Sequence, residues 1–234
     1  MSMNYEEAKY QLRLHTGVLD TARERFILDD GFLPSLRPYR GLQEKNFHLV
    51  VEALLTVGER LYREAKVDRD LVATFYSMCY YARLWGVQPD GMLQHNELIS
   101  TADAARLALW INILEQTMLT LLNGQPPYRA VRHYTSYIVD VGWHKNIDFF
   151  VPLLCQAVAQ KEVSGEIETT LTALAKLGGL ATVALPALHD ANLRTFSFAN
   201  PATPLTVEQD TERIRATIRD TISAIEKSVS EKSG

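Results

Sequence analysis

The chain has 234 residues, of which 47% are hydrophobic and 22% charged, and a formal net charge of −4. This is an ordinary globular composition, long enough to bury about 70% of the unfolded surface in one large domain or two small ones. The mild acidity lacks the concentrated basic face that non-specific DNA or RNA binding requires. Cys79 and Cys155 lie in apolar helical contexts and read as buried free thiols, not as a disulfide framework. The opening Met1-Ser-Met-Asn-Tyr-Glu-Glu has neither a basic n-region nor an apolar h-region, so a cytoplasmic protein without a signal peptide is expected.

Residues 4–28 keep helical spacing at Tyr5, Ala8, Leu12, Leu19, Ala22 and Phe26, across Gly17, and Asp29-Asp30-Gly31 reads as the stop. Residues 31–41 carry two prolines and two arginines, yet Phe32, Leu33, Leu36 and Tyr39 call for burial, which predicts an ordered loop. A helix over about 42–65 turns Phe47, Val50, Val51, Leu54, Leu55 and Leu61 inward, with a close helix crossing predicted at Gly58. The next, over 68–85, has Leu71, Phe75, Met78, Ala82 and Trp85 as its apolar stripe.

After a Pro-Asp-Gly turn and a mixed connection over 92–99, Ser100 or Thr101 opens a helix with Asp103 in its first turn, where the exposed N–H groups favour an acid. That helix, about 101–123, is apolar nearly all round, with Asn112, Glu115 and Gln116 on one narrow polar face. Such a helix is expected to be surrounded by others and central to the fold. Its apolar run, 107–122, is 16 residues long and interrupted by Glu115, whereas a membrane span needs about 20 residues and tolerates a mid-span carboxylate poorly. A buried helix of a soluble core is therefore expected, with no membrane partner.

Pro126-Pro127 begin a helix to about Val141, followed by a turn at Gly142-Trp-His-Lys. Residues 147–158 form another, with Pro152 either in its first turn or at a bend. Over 165–188 the helical signal is broken or kinked by Gly178-Gly179 and Pro186. After a loop with Pro201 and Pro204, Thr206-Val-Glu-Gln209 reads as a capping box. It would open a last helix, 206–229, striped by Ile214, Ile218, Ile222, Ile225 and Val229.

The pattern predicts an all-α, single compact domain of about eight helices around the 101–123 helix, with an array of antiparallel helix pairs as an alternative arrangement. No repeat signature supports a solenoid. Residues 1–199 would form the core, and 200–234 a proline-containing loop with an appended amphipathic helix that docks on its own domain or on a second copy.

Chemistry-bearing motifs are sparse. There is no Gly-rich phosphate loop, no Gly-x-Ser-x-Gly elbow and no Cys-x-x-Cys pair. Glu44-x-x-x-His48 and His144-x-x-x-Asp148 share helical faces, but neither reproduces a metal-binding spacing, so no metal or cofactor is assigned. The residues suited to ligand or partner binding are Tyr80, Arg83 and Trp85, His95 and Glu97 in the 92–99 connection, and Arg132, His133, Trp143 and His144. Tyr, Trp and Arg combine large contact area with fixed donors, which suits recognition as well as the boundary of a helical core.

These observations favour an interaction or regulatory module that binds a protein partner or itself. The first alternative is an enzyme or small-ligand binder with a pocket between helices, which requires the 86–99 connection to fold over the 127–141 helix. A second is a helical immunity-type protein whose acidity steers it to a basic toxin.

Overall fold

In a computed structural model describing residues 3–17, 31–64, 66–141, 147–160, 162–163, 166–194, 196–198 and 204–232, local capping chemistry sets the starts of three helices, at Asn4, Asp68 and Ser100. The fold is all-α, and its contacts gather into two units, residues 1–130 and 131–234.

In the first unit, α1 (Tyr5–Thr16) starts at Asn4, whose side chain accepts from the Glu7 N–H while Glu7 accepts from the Asn4 N–H. It stops at Gly17, which adopts a left-handed φ of 77° and donates to the Arg13 and Leu14 carbonyls. The helix expected to run to Leu28 thus ends here, because a left-handed residue satisfies the terminal carbonyls and turns the chain away. The expected continuation and its Asp29-Asp30 stop lie outside the described residues.

Helix α2 (Glu44–Arg63) and α3 (Arg69–Gly86) follow, α3 capped by Asp68, which accepts from the Asp70 and Leu71 N–H groups. The short α4 (Met92–His95) lies in the connection, and Ser100 caps α5 (Thr101–Leu122) through the Asp103 N–H. α6 is the single turn Pro127–Ala130.

α1 packs on α2 and α3, and α5 on α2, α3 and α6. The core is anchored by Phe47 stacked on Trp110, with ring centroids 4.9 Å apart. Leu12, Leu54, Met78, Leu107, Ile111 and Leu114 are buried around them. The crossing expected at Gly58 is present: a Cβ there would come within 2.5 Å of Leu121. A Cβ on Gly86 would meet Leu107 just as closely, while Arg83 reaches Glu115, so α3 and α5 run antiparallel. In the 31–41 loop Phe32, Leu33 and Leu36 are buried as expected.

α5 departs from expectation in one respect. Leu114 and Met118 are buried, but Leu109, Leu119 and Leu122 are exposed, so this helix is not enclosed on all sides.

In the second unit, α7 (Arg132–Val141) is separated from α6 by a turn at Val131, so the single helix expected over 127–141 is two. α8 (Ile147–Val158) carries Pro152 within it. α9 (Glu166–Leu177) passes into a 3₁₀ segment (Gly178–Ala184) and then α10 (Leu185–Asn192). The break falls at Gly178, which takes a φ of 54°, where the glycine pair predicts it. Glu162–Val163 and Ser197–Phe198 form a two-residue parallel pairing.

α11 (Pro204–Lys232) begins ahead of Thr206, so Thr206 lies in the first turn and does not cap the helix as the motif suggests. Its Ile214, Ile218, Ile222 and Ile225 are buried against α9, the 3₁₀ segment and α10, so the helix docks on its own chain. The stretch Ile167–Asn192 is long and apolar enough, by length and composition alone, to cross a membrane. Here it forms three segments bent at Gly178, whose inner side packs on α8 and α11.

Candidate functional site

Two helices of the first unit present a shared exposed face. On α3, Tyr76, Tyr80 and Arg83 recur at steps of four and three and lie on one side. Glu115, Leu119 and Leu122 do the same on α5. An Arg83 guanidinium N–H donates to the Glu115 carboxylate at 2.6 Å, which brings the two sides together as one surface. A pair this exposed is worth at most about 1 kcal/mol, so it organises the surface more than it stabilises the fold. Tyr76 is 65% exposed, Tyr80 48%, Leu119 52% and Leu122 39%, and the Tyr76 and Tyr80 rings stack with centroids 5.8 Å apart. Helical periodicity causes this exposure: Met78, Cys79 and Ala82 are turned inward, which leaves the tyrosines one turn apart on the outer side.

The tyrosine row continues round α3. Tyr80 meets Tyr81 edge-on at 5.3 Å, and Tyr81 lies 5.4 Å from Trp85. Trp85, expected to be inward, is half-buried, with the Arg37 guanidinium 5.5 Å over its ring. A cation over an aromatic face is attracted by the ring quadrupole, which ties the 31–41 loop to the end of α3.

His95 and Glu97 are both exposed in the connection. The polar groups around them mainly close turns: Asn96 donates to the Met92 carbonyl and Gln94 to that of Gly86. Glu97 adopts a φ of 53°, the left-handed region that costs a non-glycine residue energy. Arg132 and His133 belong to the second unit, where Arg132 Nε lies 3.4 Å from His133 Nε2. Trp143 and His144 lie outside the described residues, as does the His144–Asp148 pairing. The nine residues singled out from sequence are therefore not assembled into one described site, and only Tyr80 and Arg83 fall on the face above.

Glu44 and His48, expected near the surface, are 3.8 Å apart, but the imidazole is deeply buried and burial lowers its pKa to about 4. Among the described residues no three His, Cys, Asp or Glu side chains are grouped to hold a metal ion. Burial pushes the Cys79 thiol far above its ordinary range, with the Glu115 carboxylate adding to the effect, so it is no nucleophile.

Two recesses have charged linings. One of about 330 Å³ lies between α7 and α9, where Asp140 pairs with Lys176 at 3.6 Å and Glu168 with Arg213. The other, about 430 Å³, lies beside Tyr5, where Lys9 pairs with Asp68 and Arg60 with Glu64. The Lys9 bond holds the Asp68 carboxyl below its usual range. In both recesses the named charges are held in ion pairs.

The exposure of Leu119 and Leu122 was not expected from sequence, which placed both within a helix apolar nearly all round and surrounded by others. The signal for Leu119 was present: at 100° per residue it falls between Glu115 and Asn112, in the middle of the polar side. No known protein family matches the chain, and no characterised protein or solved structure is detectably similar to it.

Proposed function

We propose that the chain is a helical protein-interaction module that docks an apolar partner surface on the α3–α5 face. The observation that carries this reading is the row of exposed Tyr76 and Tyr80 on α3 and of exposed Leu119 and Leu122 on α5, two helices tied at one end of the rows by the Arg83–Glu115 pair. Leaving such side chains in water forgoes the burial energy that each would contribute in a core, about 1.5–3 kcal/mol apiece for full burial. Contiguous apolar patches rimmed by polar groups characterise docking sites, and Tyr and Arg are over-represented among residues that dominate binding energy. The partner's recognition element would be an apolar helix face laid along the two helices.

A photo-crosslinking amino acid in place of Tyr80, in the full chain, tests this in the native host. A discrete adduct is expected from position 80, and none from the same group in place of Leu193, an exposed leucine of the second unit. Identical yields from both positions would refute the assignment.

A further inference from the structure

We draw no further inference here: the strongest candidate, the exposed α3–α5 face with Arg69 beyond its Tyr76–Tyr80 row, belongs to the docking site already described, and nothing in the structure shows what covers it.

Discussion

Protonation of His15 offers a quantitative test of the α1–loop packing. Its Nδ1 accepts the Phe32 backbone N–H at 3.0 Å, which fixes the neutral tautomer with the proton on Nε2. Burial lowers its pKa from 6.5 to about 4, and the nearby Lys45 ammonium acts in the same direction. As pH falls, the unfolded chain therefore takes up a proton near pH 6.5, while the native chain resists until about pH 4. The associated stability is complete above pH 6.5 and is lost across that window. With 1.36 kcal/mol per unit, the full loss is about 3 kcal/mol, of which about 2 kcal/mol falls between pH 7 and pH 5. His48, also held near 4 by burial, contributes with the same sign, so the wild-type curve alone does not isolate His15. His15→Gln does, because its side-chain carbonyl can accept the same N–H but does not titrate. Urea unfolding of both proteins across this range should show the wild type losing about 2 kcal/mol more than the variant. Parallel curves would mean that the imidazole is protonated or solvated in the native state, and the packing argument would fall.

Three further predictions concern the fold. Leu114→Ala should cost about 2–5 kcal/mol in urea unfolding, since the residue is fully buried on α5; a loss under about 0.5 kcal/mol would contradict its place in the core. Thr117 is fully buried with no hydrogen-bond partner for its hydroxyl, so Thr117→Val should stabilise by about 1 kcal/mol, and destabilisation would reveal a bond to that oxygen. Glu97→Gly should raise stability by about 0.5–1 kcal/mol by relieving the left-handed backbone, and a lower unfolding midpoint would show that the Glu97 side chain contributes more than its backbone costs.

Much of the helical framework was legible in the residue order because its causes are local. Asp68 and Ser100 hold the first free N–H groups of α3 and α5, and Gly178 breaks the long apolar stretch where left-handed geometry is needed. The apolar spacing of α2, α3 and α5 marked Leu54, Met78 and Leu114 as core. Periodicity and capping disagreed at Gly17, and the left-handed cap prevailed there, because satisfying terminal carbonyls depends on one residue's φ, whereas an apolar stripe only states what a helix would bury if it continued. The candidate face was half legible: Tyr80 and Arg83 stood out by type, whereas Leu119 was passed over despite its position among polar neighbours. Its assembly was decided by tertiary structure. Hydrophobicity states that Leu119 and Leu122 gain by burial, but which side of α5 is covered depends on the number and placement of the helices beside it. With α2, α3 and α6 packed on α5, those two leucines and the α3 tyrosines remain in solvent, joined by a salt bridge between residues 32 positions apart.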